Sequence, residues 1–268
     1  MPLLPLVRAS HPGPAVVVTT VSVLLGVAFG RGPATTVLIG LAVLAGQLSI
    51  GWHNDFLDAG RDLASGRLDK PLATGELSPD AVRWAAGLSA LASVVLSLLT
   101  GWTGGVLHIA AVAGAWAYNQ FYKSTPWSVL PFAFSFGLLP SFCAGGPQEA
   151  PWWTVAAGAL LGAGAHFANV LPDLAEDAAT GVRGLPHRLG RLGSELAASG
   201  LLLGAAVVLA VGIGRWYALA AVALAAVVIP LGLWLGRRIG GRMVFRAAMA
   251  LAVVDVVLLV AGSATVTV

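Results

Sequence analysis

Nine apolar stretches, at roughly 15–30, 33–53, 81–99, 105–120, 128–146, 152–171, 195–212, 216–235 and 245–263, alternate with short polar breaks. Each has the length of a membrane-spanning helix, and no ten-residue alternating segments suggest a β-barrel. Only 10% of the residues are charged and the mean hydropathy is +0.86, whereas soluble domains carry about 25% charged residues. Frequent Gly, Ala and Ser within the stretches suit close helix packing in lipid. The expectation is an all-α integral membrane protein with nine transmembrane helices. It forms a single polytopic domain over 1–268, with acidic cytoplasmic loops at 54–80 and 172–194.

The charges agree with an odd number of spans. With the N-terminus in the cytoplasm, Arg8, Arg61, Arg67, Lys70, Arg83, Lys123, Arg183, Arg188, Arg191, Arg237, Arg238, Arg242 and Arg246 fall inside. Only Arg31 and Arg215 fall outside, as the positive-inside bias predicts for short loops. This places the protein in the cell membrane, with the acidic loops cytoplasmic and the C-terminus outside. The first stretch does not read as a cleavable signal, because no small-residue cleavage site follows it and Pro12 and Pro14 lie at its start. No basic, aromatic-interleaved patch suggests nucleic acid. Cys143 is the only cysteine, which excludes an intrachain disulfide or a cysteine-based metal site.

The two acidic loops repeat one pattern at an offset of 115 residues. Asn54, Asp58, Asp62, Gly66, Pro71 and Gly75 line up with Asn169, Asp173, Asp177, Gly181, Pro186 and Gly190. Both read N-x3-D-x3-D-x3-G-x4-P-x3-G, and the agreement falls on polar and turn positions. The loops follow the second and sixth stretches, as expected of a duplicated unit whose equivalent loops face each other.

Residues three and four apart share a helix face, so Asn54, Asp55, Asp58 and Asp62 form one stripe. Asn169, Asp173, Glu176 and Asp177 are expected to form a second along the sixth helix. Clustered acids beside a low-dielectric region repel one another, and a divalent cation relieves the repulsion. Hard oxygen donors without Cys or paired His favour Mg²⁺, which keeps some positions for water and substrate phosphates. Two facing stripes suit several Mg²⁺ bridging a pyrophosphate. Arg67, Lys70, Lys123, Arg183 and Arg188 lie on the same side and supply direct positive charge. A membrane setting points to a pyrophosphate carried on a long hydrocarbon.

Plainer roles compete with these. The basic residues are also accounted for as topology signals, and the matched glycines and prolines as turn formers. His53 and His166 lie near the stripes but suit structural roles. Asp255, deep in the last stretch, has no assigned role. The aromatics Trp116, Tyr118, Phe121, Tyr122, Phe132, Phe134, Phe136 and Phe142 can stabilise a carbocation by cation–π attraction or simply pack.

Asn54-Asp55-x-x-Asp58-x-x-x-Asp62 resembles the first aspartate-rich motif of the UbiA superfamily of intramembrane prenyltransferases, and Asp173-x-x-x-Asp177 resembles its second. Tyr118 to Lys123 is similar to the family's intervening tyrosine and lysine segment, and Asp69-Lys70-Pro71-Leu72 stands where Asn-Arg-Pro-Leu is common. The resemblance implies a bundle of nine helices around a central cavity. It implies Mg²⁺ bound by Asn54, Asp55, Asp58, Asp62, Asp173 and Asp177, with Asp58, Asp62, Asp173 and Asp177 catalytic. It further implies pyrophosphate contacts from Asn54, Arg67, Lys70, Tyr118, Lys123 and Arg183. Lys70 in place of arginine keeps the charge and loses the bidentate fork.

The expected activity is Mg²⁺-dependent ionisation of an isoprenoid pyrophosphate. The prenyl group then passes to an aromatic or other lipophilic acceptor, of quinone or menaquinone-precursor type. Two alternatives are a membrane terpene cyclase acting on the pyrophosphate alone and a non-enzymatic carrier of lipid pyrophosphates.

Overall fold

Each predicted apolar stretch falls mainly on one helix, with ends that differ by a few residues. The computed structural model describes residues 3–64, 66–67, 69–239 and 243–263, so the expectations for Arg242 and the C-terminus lie outside the described residues. A short α1 (Leu3–Ala9) precedes α2 (Pro12–Ala28), α3 (Pro33–Ala64), α4 (Pro79–Leu99), α5 (Trp102–Ala117), α6 (Leu130–Ala144) and α7 (Trp152–Val170). A six-residue α8 (Leu174–Ala179) then leads to α9 (Leu185–Ile213), α10 (Leu219–Ile239) and α11 (Met243–Ser263). All regular structure among the described residues is helical.

The 115-residue offset governs the architecture. It maps α2 onto α6, α3 onto α7 with α8, α4 onto α9, and α5 onto α10, leaving α11 as the unmatched helix. Packing follows the same plan: α2 lies on α3 as α6 lies on α7, and α3 on α4 as α7 on α9. Contacts of α5 with α6, and of α11 with α2, α7 and α10, join the halves. The matched turn positions behave alike. Gly66 and Gly181 adopt φ of 65° and 86°, and Gly75 and Gly190 adopt 75° and 67°, in the left-handed region that glycine enters without a Cβ clash. Pro71 and Pro186 are both fully buried.

Of the nine spans expected, five among the described residues have the length and composition of a span, and a bent pair makes up to six. By length and apolar composition, α3, α4, α9, α10 with its leading turn, and α11 can each cross a bilayer. α1 and α2 pass that test only together, bent by 71°. α5 and α6, with 16 and 15 residues, fall short of the ~30 Å hydrocarbon core at ~1.5 Å per residue.

A second correction concerns the acidic stripes, both expected on continuous helices. α3 runs straight through Asn54, Asp58 and Asp62 to Ala64, as the spacing predicts. The second stripe is not continuous: α7 stops at Val170 and α8 starts at Leu174. Pro172 explains the break, since it has no amide hydrogen and its ring crowds the preceding turn. The first half has Leu57 at the matching position, so α3 continues.

Arg31, one of the two cations expected outside, has a structural task. Its guanidinium donates to the carbonyls of Ala144 at 2.7 Å and Thr100 at 3.0 Å, closing the C-terminal ends of α6 and α4. Arg31→Ala is expected to lower stability by about 1.5–3 kcal/mol, the worth of hydrogen bonds from a charged donor. Thermal unfolding in detergent checks this, with the exposed Arg215→Ala as the unaffected comparison.

Candidate active site

α3 presents Asn54 and Asp58 one turn apart, and the Asn54 amide donates to Asp58 Oδ2 at 3.2 Å. Asp58 also accepts from Lys123 Nζ at 2.5 Å and pairs with Arg61. Lys123 reaches it because α5 ends in a π-helical turn, Tyr118–Tyr122, closed by Lys123 N to Tyr118 O at 2.9 Å. Such wide turns re-aim side chains at functional sites. The turn buries Tyr118 against Phe132 and His166, with ring centroids 4.8 and 5.6 Å away, and sends Asn119 to the Ile50 carbonyl.

The two matched segments meet. Asn54 and Asn169, the first positions of the repeat, line one cavity of about 280 Å³ together with Tyr118, Phe132 and Phe136. Beside it lies a polar cleft of about 400 Å³, lined by Arg8, His11, Arg67, Asp69 and Lys70 from one half and by Pro172 and Asp173 from the other. Burial pushes the Asp177 carboxyl above its usual range. Lys123 and His187 oppose that shift, while Asp173 and Asp58 reinforce it, so acids from both halves share one field. The His187 imidazole is 3.6 Å from Asp177, too long for a hydrogen bond.

Arg67 joins the loops differently from expectation. It grips Asp69 through two bonds of 2.8 and 2.9 Å and reaches Glu176, across the repeat, at 3.1 Å. This bidentate bond holds the Asp69 carboxyl down at about 2. Lys70 donates to Asp55 at 2.7 Å. Asp62 is half-buried on the α3 face, and Arg183 lies exposed. His166 is tied to Ser128 at 3.0 Å, and His53 stacks on Trp116 at 3.9 Å, which gives both structural surroundings.

Sequence reasoning missed His11 and took Arg8 only as a topology signal. Both line the cleft, and Arg8 bonds Glu76 at 3.2 Å and the Asp69 carbonyl at 3.1 Å. No local pattern marks them, since their partners lie more than forty residues away.

The sequence model of the UbiA prenyltransferase family matches residues 15–262. No curated protein matches the chain. Among solved structures, a UbiA homologue from Archaeoglobus fulgidus bound to GPP and Mg²⁺ superposes with a TM-score of 0.74 at 16% identity, covering 98% of this chain and 99% of that one. An apo UbiA homologue from Aeropyrum pernix K1 gives 0.73 at 18% identity, with coverage of 94% and 98%. A structure of digeranylgeranylglyceryl phosphate synthase gives 0.68 at 17% identity, with coverage of 98% and 99%. At such identities the likeness is one of fold.

Proposed function

The chain belongs to the UbiA prenyltransferase family, and from that premise we propose that it ionises an isoprenoid pyrophosphate and transfers the prenyl group to a lipophilic acceptor. The observation that carries this reading is the meeting of Asn54 and Asn169 in one apolar cavity, next to a cleft that both acidic segments reach. The head group fits the cleft and the hydrocarbon fits the cavity.

The donor set suits Mg²⁺. Asn54, Asp58 and Asp62 from one half and Asp173 and Asp177 from the other offer only hard oxygens. Mg²⁺ ordinarily takes one or two carboxylates and fills the rest of its shell with water and substrate oxygens, and among the described residues no three His, Cys, Asp or Glu groups converge on one point. Relatives of the same fold are described with GPP or DMAPP and Mg²⁺. When bound, the ion neutralises the charge that builds on the leaving pyrophosphate. Lys123 and Lys70 add direct positive charge, Lys123 from a position fixed by Asp58. Tyr118, Phe132 and Phe136 offer ring faces to the allylic cation, and the apolar walls keep out water that would quench it.

Nine crossings with cytoplasmic acidic loops remain the best account of the topology. The π-turn lengthens α5 to Tyr122, and thinning of the bilayer accommodates short helices such as α6.

One observation favours the cyclase as a second reading. Among the described residues lining the cavity none is Lys, Arg, Asp or Glu, so its walls offer an acceptor carboxylate no side chain of fixed charge. The test is purified protein in detergent with Mg²⁺ and geranyl, farnesyl or geranylgeranyl pyrophosphate, with and without a quinone precursor. Pyrophosphate release that needs the precursor and stops on chelation is expected. A cyclic hydrocarbon from the pyrophosphate alone makes the protein a cyclase, and no release under any condition leaves only a carrier.

A further inference from the structure

His11 is the one non-glycine with positive φ among the described residues, at φ 54° and ψ 62°. A bulky side chain held in that region marks a position fixed by its surroundings, and such positions cluster at functional sites. The surroundings here are tight. Ala9 and Ser10 are buried, the Trp52 indole donates to the Leu6 carbonyl at 2.9 Å, and a Cβ on Gly51 would run into the Ser10 carbonyl. The elbow between α1 and α2 is thereby seated on α3.

This seat aims the imidazole at Asp55. In its Nε2–H tautomer His11 donates to Asp55 Oδ1 at 2.9 Å, and the Lys70 ammonium donates to the same oxygen at 2.7 Å. The imidazole nitrogen and the ammonium are 3.4 Å apart. Asp55 is 2% exposed, so an unpaired charge there is costly and the two donors hold it in place. His11 lines both the polar cleft and the apolar cavity, and Lys70 lines the cleft. The repeat isolates this unit. At the 115-residue offset Asp55 and Lys70 fall opposite Val170 and Leu185, whereas Asn54, Asp58 and Asp62 have matching oxygen donors.

We infer that His11 is a positioning residue of the pyrophosphate site: with Asp55 it fixes the Lys70 ammonium where cleft and cavity join, and Asp55 serves that cation instead of the metal set. The inference rests on the proposed function, and it divides the first aspartate-rich motif into a repeated metal frame and a single-copy cation clamp.

Calorimetric titration of the purified protein with Mg²⁺ and with inorganic pyrophosphate tests it without recourse to turnover. His11→Gly relieves the positive φ but takes one donor from buried Asp55, so its melting temperature should stay within a few degrees of wild type, with Lys70 still paired to Asp55. Its pyrophosphate affinity should nevertheless fall about tenfold, the scale of one lost hydrogen bond to a charged group. His11→Gln, which keeps a donor near the Nε2 position, should restore most of that loss. The Mg²⁺ concentration for half-maximal pyrophosphate binding should move with Asp58→Asn and stay put with Asp55→Asn. Unchanged pyrophosphate affinity in His11→Gly overturns the inference, as does an Asp55→Asn shift in Mg²⁺ requirement matching that of Asp58→Asn. Wild-type protein that does not bind pyrophosphate at all overturns the proposed function itself.

Discussion

Asp58→Ala is expected to lower Mg²⁺-dependent pyrophosphate release by about a hundred- to a thousandfold, the range seen when one preorganised electrostatic group is removed. Asp58 is the hub of the candidate site. It accepts from Asn54, pairs with Arg61 and fixes Lys123, and its side chain is only 13% exposed. Truncation removes an oxygen donor and also strands Lys123, whose side chain is 17% exposed, without its counter-charge. Asp58→Asn keeps the shape and one acceptor oxygen, so it should lose activity while melting close to wild type. The control is Asp80→Ala, an 80% exposed acid in the first turn of α4, which should leave turnover unchanged. An Asp58→Ala protein retaining a tenth or more of its activity would remove Asp58 from the site.

The second large effect concerns the wall of the cavity. Gly158 and Gly162 lie four residues apart on α7, the spacing that lets helices approach closely in lipid. A methyl group on Gly158 would lie 2.5 Å from the Phe136 carbonyl oxygen; on Gly162 it would lie 2.5 Å from that of Phe132 and 2.6 Å from Phe136 Cβ. The nearest obstacle in each case is a backbone carbonyl oxygen, so α6 must move bodily. Each alanine should therefore cost about 1–3 kcal/mol through overpacking, read as a lower unfolding midpoint in detergent. Phe132 and Phe136 also line the cavity, so the surviving protein should favour a different prenyl chain length. Gly200→Ala, with open space at its Cβ, should be neutral or mildly stabilising. Equal melting of Gly158→Ala and Gly200→Ala would mean that α6 and α7 are not in this close contact.

Local chemistry was readable in the sequence wherever spacing alone determines position. The three-and-four spacing of Asn54, Asp58 and Asp62 became one helical face, because nothing between them interrupts α3. The matched glycines and prolines became matched turns and buried corners, since φ preference and a missing amide hydrogen are properties of single residues. The stripe from Asn169 to Asp177 is interrupted between α7 and α8 because Pro172, which has no counterpart in the first half, breaks the helix that the repeat implies. What depends on long-range seating was not legible. His11 meets Asp55 across 44 positions, and Arg67 meets Glu176 across 109. Apolar runs likewise located helices without revealing that α6 is shorter than a bilayer core or that α5 gains its length from a π-turn.

The matched turns of the two halves bear on how such a protein can change over generations. On the proposed function, positions that both copies share serve one leaving group from two sides, so a change on one side is penalised by the other. Asp55, Lys70 and His11 stand outside that agreement, as do α11 and the phenylalanines of α6. Inheritance can therefore alter what the cavity admits through the unmatched parts while the matched parts keep the bond-breaking chemistry constant. New substrates should arise by drift in α11 and in the unpaired side chains of α6 that line the cavity, long before any change in the paired acids survives.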